Sequence, residues 1–201
     1  MPQSIHEQIQ ERTLMPGKLK VHVDDPLAAR RLRLTLNLLF REQRLHPCRP
    51  LAVICIGTDR STGDALGPLV GAKLATEEIE NVHTYGTLEQ PVHASNLIRT
   101  LAAVQAACPG SFTIAIDACL GRSENVGTIT VGKGALKPGA GVNKNLPSVG
   151  DIYLTGIVNV GGFMEYFVLQ NTRLSLVMRL AGIIAESLIW SIRDLRAAHP
   201  V

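Results

Sequence analysis

The chain has 201 residues, 46% hydrophobic and only 18% charged, with a formal net charge of +3. That length buries a sizeable core as one domain with room for an appendage, and so apolar a composition excludes a disordered chain. Aromatic residues make up 4%, too few for a stacking platform for single-stranded nucleic acid.

The first 24 residues are polar and mixed, with a turn at Met15-Pro16-Gly17, and read as a loose arm. Asp25 and Pro26 form a helix start, a capping carboxylate followed by proline at the first helical position. Leucines interleaved with arginines then predict an amphipathic helix over 26–45, ended before Pro47. Residues 1–50 hold nine Lys/Arg against five Asp/Glu, whereas 51–201 hold eleven against twelve. The basic surplus therefore belongs to this segment, and 1–48 reads as an N-terminal arm and basic amphipathic helix ahead of a domain over 49–201.

Leu51 to Ile56 is a continuous apolar run before Gly57 and reads as a strand buried on both faces. Helical periodicity follows over 65–78, a short strand over 81–87, and a helix over 94–107 closed by Cys108-Pro109-Gly110. Phe112 to Asp117 is a second buried strand, with further strands over 128–131 and 152–158. Residues 162–196 are helical again, in one piece or two. Strands alternating with helices predict an α/β domain around a mostly parallel sheet.

Four cysteines occur without a CxxC pair; Cys55 and Cys119 sit in apolar runs and read as small buried hydrophobes. Neither a secretory h-region nor a run of about 18 apolar residues is present. The expectation is a cytoplasmic protein that binds neither membrane nor nucleic acid. Gly127 to Lys133 has P-loop spacing, but Gly134 stands where the Ser/Thr is needed. GxGxxG, GxSxG and HExxH are all absent.

Ligands and chemistry in such a sheet gather beyond the carboxyl ends of the strands. Asp64 opens the helix after the first buried strand, where a helix cap is the bland alternative. Asp117 ends an apolar strand, where an ionisable group needs a partner or a task.

These segments carry a resemblance. Gly57 with Thr62-Gly63-Asp64-Ala65-Leu66-Gly67-Pro68 resembles the part of the bacterial spore germination protease that holds one of its two functional aspartates. Ala115-Ile116-Asp117-Ala118 resembles the part holding the other. Gly86 to Leu97, with Gln90, is similar to the connecting stretch. Pro138 to Lys144 resembles the glycine-rich loop, and Gly156-Ile157-Val158 the strand after it. Gly57 to Asp64, in so short a chain, is similar to the YyaC-type family of spore-protease-like sporulation proteins, relatives of the hydrogenase maturation peptidases. Asp59 and Arg60 depart from the germination protease, and residues 1–45 have no counterpart in it.

The resemblance implies a three-layer α/β/α sandwich around a mixed sheet, phosphorylase/hydrolase-like as in the maturation peptidases. It implies peptide-bond hydrolysis by an Asp64/Asp117 carboxylate pair without a cofactor. Gly139, Gly141, Asn143 and Lys144 are then candidates for an oxyanion or substrate loop, and Asp59, Arg60, Gln90 and His93 for accessory roles. A divalent metal such as nickel or zinc on Asp64, Asp117 and His93 is the minor alternative. A catalytically silent binding or regulatory protein on the same fold is another. The implied partner is a protein or peptide, with small acid-soluble spore proteins suggested by the analogy, in the developing spore or mother cell. A homo-oligomer stays open.

Overall fold

Continuous apolar runs become strands covered on both faces, and the clearest is Leu51–Cys55, all five of whose residues are buried. The computed structural model describes residues 18–138 and 146–198. In chain order the elements are β1 (Lys18–His22), α1 (Ala28–Glu42), β2 (Leu51–Cys55), a 3-10 turn (Gly63–Ala65), α2 (Leu66–Ala75) and β3 (Val82–Tyr85). They continue with α3 (Leu97–Ala107), β4 (Phe112–Gly121), a second 3-10 turn (Ser123–Asn125), β5 (Thr128–Lys133), β6 (Ile152–Val160), α4 (Glu165–Gln170) and α5 (Leu174–Ala197).

One six-stranded sheet runs in the order β1-β5-β6-β4-β2-β3. Neighbours from β6 to β3 are parallel, while β5 is antiparallel to both β1 and β6. Helices α1, α2 and α5 pack one face, where Leu36, Val70 and Leu180 meet Ile114 and Leu154. On the other face α3 and the segment at Val149 cover Ala52, Ile54 and Ala115. The result is the expected α/β architecture with a mixed sheet.

Two expectations need correction. The loose arm over 1–24 is ordered from Lys18: β1 pairs antiparallel with β5, Lys18 opposite Gly132 and His22 opposite Thr128. Its alternation is real but short, with Leu19 and Val21 buried and Lys18, Lys20 and His22 outward; the lysines hid it. Residues 1–17 lie outside the described part. The strand predicted to end at Asp117 continues to Gly121, because the apolar Ala118, Cys119 and Leu120 keep pairing with β6.

Helix α1 starts at Ala28, after the Asp25 carboxylate accepts the Leu27 N–H at 2.8 Å. Ala28, Leu32, Leu36 and Leu39 form the buried stripe, while Leu27, Leu34 and Leu38 remain exposed. Arg33 holds Asp194 of α5 with two hydrogen bonds of 2.8 and 2.7 Å, and Asn37 donates to the same carboxylate at 2.8 Å. Segment 18–42 is thus part of the same hydrophobic core as the later elements.

Helix α5 is long and apolar enough to cross a membrane by length and composition. Its apolar face is already used: Val177, Leu180, Ile184, Leu188 and Ile192 are buried in the core. Leu36 is fully buried in that core. Leu36→Ala should destabilise the fold by roughly 2–5 kcal/mol, read as a lowered urea midpoint with unchanged slope.

Candidate functional site at the carboxyl ends of the strands

Strand β2 is shorter than β4, and this difference makes the site. The last β2 pair is Cys55 with Ile116, so Asp117 is the first β4 residue beyond its β2 neighbour. Ile56 still donates to the Ile116 carbonyl at 2.7 Å, then the chain leaves the sheet, with Gly57 donating to Val92 O at 2.8 Å.

The departing loop folds back at once into the 3-10 turn that carries Asp64. Gly57 has φ +146°, and a Cβ there would lie 1.9 Å from the Asp64 carbonyl oxygen. A Cβ on Gly67 would lie 2.1 Å from the Ile56 carbonyl oxygen. Only glycine lets the turn and the first residues of α2 press this closely on the strand end. The Thr58 N–H donates to Asp64 O at 3.2 Å and closes the loop.

Asp64 is half-buried there. Burial pushes its carboxyl above the ordinary 3.8, since desolvation disfavours the charged form. The cap reading for this residue does not hold: no side-chain capping hydrogen bond closes the turn or α2.

Asp117, also half-buried, stands in register with Thr155 of β6, which stands in register with Thr130 of β5. Residues paired in register point to one face, so an acid and two hydroxyls form a row across three strands. Cys119 follows two residues on, its thiol 3.6 Å from Gly156 O. That thiol is pushed up to about 11, chiefly by burial; the Thr155 hydrogen bond lowers it and the Asp117 charge raises it. It is inert as a thiolate near neutrality. A bulge in the β4–β6 pairing follows directly, between Cys119 and Leu120; bulges are common beside active sites.

Helix α4 covers the Asp64 turn from the far side. A Cβ on Gly63 would lie 2.7 Å from a Leu169 methyl and 3.0 Å from Thr172 Oγ1. Asn159 of β6 donates to Val168 O and Thr172 Oγ1, both at 3.2 Å. The 3-10 turn packs against β4, α4 and α5. Asp64 and Asp117 therefore belong to elements packed together at one end of the sheet.

The accessory candidates fall beside this place. Asp59, Arg60 and His93 line one cavity of about 260 Å³ with Thr58 and Glu89. Gln90 and His93 line a neighbouring cavity of about 460 Å³. Among the described residues no three His, Cys, Asp or Glu side chains are grouped to hold a metal ion, so Asp64, Asp117 and His93 are not gathered into a ligand set. Gly139, Gly141, Asn143 and Lys144 lie outside the described residues. Thr130, Thr155 and Asn159 were missed by sequence reasoning; hydroxyl and amide residues inside strands give no signal until the register is known. A cavity of about 680 Å³ between α2 and α5 beside Trp190 has neither acid in its lining.

Residues 20–187 match the family model described as protein of unknown function, DUF1256. The chain belongs to this family. The DUF1256 match begins inside β1 and takes in α1, so the family unit includes the N-terminal strand and helix. A Bacillus subtilis member described as uncharacterized protein YyaC is 52% identical over 164 residues, 82% of this chain and 78% of that protein. A [NiFe] hydrogenase maturation protease from Thermococcus kodakarensis superposes with a TM-score of 0.42 and 16% identity, over 70% of this chain and 92% of that one. A likeness that slight carries no argument about this DUF1256 protein.

The raised Asp64 carboxyl sets a pH dependence. The folded state binds its proton more tightly than the unfolded state, so its contribution to stability is full below about pH 3.8. That contribution is lost as pH rises through the raised folded-state value. Asp64→Asn should therefore be more urea-resistant than wild type at neutral pH, with the advantage fading on acidification. An unchanged gap across that range would contradict the assignment.

Proposed function

We propose that the protein is a peptidase in which Asp64 and Asp117 share the hydrolysis of a peptide bond. The observation that carries this reading is that β4 outruns β2 at Asp117 and packs against the turn in which burial raises the Asp64 carboxyl. Two carboxyl groups in unequal surroundings divide acid and base work between them. Asp64, whose carboxyl is raised by burial, gives its proton to the carbonyl oxygen. It takes one back from the tetrahedral intermediate's hydroxyl as that intermediate collapses, while the leaving amine receives the proton that Asp117 removed from water. Asp117 accepts a proton from the attacking water. The water oxygen bonds to the carbonyl carbon, the C–N bond breaks, and no covalent enzyme intermediate forms.

The family resemblance suggests sporulating cells as the setting and small acid-soluble spore proteins as substrates. Asp64→Asn and Asp117→Asn should each lower cleavage about a hundredfold or more, with circular dichroism unchanged. The assay uses extracts of sporulating cells and is run with and without added nickel or zinc. Full activity in either variant would sink the pair, and activity only with added metal would favour metal-assisted hydrolysis.

A second reading, a binding protein on the same fold, is favoured by the outer face of α1. Leu34 is 54% and Leu38 44% exposed there, beside the exposed Arg31 and Arg41. Deleting the helix would remove core residues, so the fitting test is Leu34→Ser with Leu38→Ser. That double variant should keep peptidase activity on short peptides; loss of partner capture without loss of fold would support the binding reading.

A further inference from the structure

We propose that the cavity between the end of β3 and the start of α3 is an oxyanion-binding site, one that takes a ligand bearing a carboxylate or phosphate. Its volume of about 460 Å³ is that of a small-molecule site. Arg99 and His93 line it together with Thr84, Thr87 and Gln90, and no Asp or Glu does. The acids nearby, Asp59 and Glu89, line the adjoining cavity, which shares only Pro91 and His93 with this one.

The donors are available. Among the described residues the side chains of Arg99, Thr84 and Gln90 have no hydrogen-bond or ion-pair partner. Thr87 Oγ1 accepts the Gln90 backbone N–H at 3.2 Å, which leaves its own proton to give. Ser95 Oγ lies 2.8 Å from His93 Nδ1; with Ser95 donating, the ring proton sits on Nε2. A guanidinium with hydroxyl, amide and imidazole donors is a donor set suited to a carboxylate or phosphate.

The scaffold beneath them is fixed. Asn96 Oδ1 accepts the His93 backbone N–H at 2.8 Å, and Asn96 Nδ2 donates to Pro91 O at 3.0 Å. This ties the segment from Pro91 to His93 onto the first turn of α3. Asn96 and Arg99 are three residues apart and so share a helix face, both lining the cavity. Val92 anchors the same segment to the sheet through its bridge with Ile56. A preorganised set of donors binds without the cost of ordering them. The inference does not depend on the roles given to Asp64 and Asp117.

The test titrates the full-length protein with inorganic phosphate and, separately, with glutarate, following amide chemical shifts at low salt. The two arms distinguish a phosphate from a carboxylate ligand. Saturable shifts at the residues from Thr84 to Thr100 are expected for at least one probe. Arg99→Gln, at an exposed position, should weaken binding about tenfold or more, and Arg99→Lys should restore part of it. Arg173→Gln, an exposed arginine outside this cavity, should change nothing. Failure of both probes to saturate, equal affinity in Arg99→Gln, or equal weakening by Arg173→Gln would each overturn the proposal.

Discussion

The fold and its site depend on how closely residues 57–71 lie against the end of β2. Three contacts of the same kind hold this approach: Gly57 against Asp64, Gly67 against Ile56, and Gly71 against the Gly86 carbonyl, where a Cβ would come within 2.1 Å. Each replaces a side chain with direct contact to main chain. Lifting α2 by the width of a methyl group would separate Leu66 and Val70 from the sheet core they complete. It would also carry the Asp64 turn away from β4. Packing and site geometry are therefore one constraint, because interiors as dense as crystals transmit small displacements.

Much of the fold was legible because burial on both faces leaves an unmistakable trace. Leu51 to Ile56 is apolar without interruption and Phe112 to Ile116 is broken only by Thr113, the near-continuous pattern of central parallel strands. The helical character of 162–196 was legible too, while the choice between one piece and two was settled only by the structure, which breaks it between Gln170 and Leu174. What escaped was set by partners far along the chain. The five residues of β1 hold two inward side chains between lysines, and their strand identity comes from β5. The extension of β4 past Asp117 likewise depends on β6 as a neighbour. Leu34 and Leu38 of α1, and Leu27 just before it, face solvent, since periodicity gives a stripe but not its width.

The candidate acids were found by type and position, as ionisable residues at the ends of apolar strands. Their surroundings were not readable in the same way. Burial desolvates Asp64, and the turn that carries it packs at Gly63 against Leu169 and Thr172, more than 100 residues away in sequence. The Thr130, Thr155 and Asp117 row exists only through register. An acid desolvated without a capping bond is a local cost to stability, and such costs gather where a fold keeps a group for chemistry.

The place of β1 has a consequence for how the chain is made. Lys18 pairs with Gly132, and Arg33 with Asp194, so the first elements find their partners only after most of the chain exists. At synthesis rates of about 5–20 residues per second, α1 waits roughly 10–30 s for α5 to be made. Throughout that interval the core that Leu32, Leu36, Leu39 and Phe40 enter is incomplete. Structure formed from distant pairs is slow and leaves apolar surface open meanwhile. The newborn helix thus carries its apolar side chains uncovered on that side until α5 arrives, with arginines interleaved between the leucines.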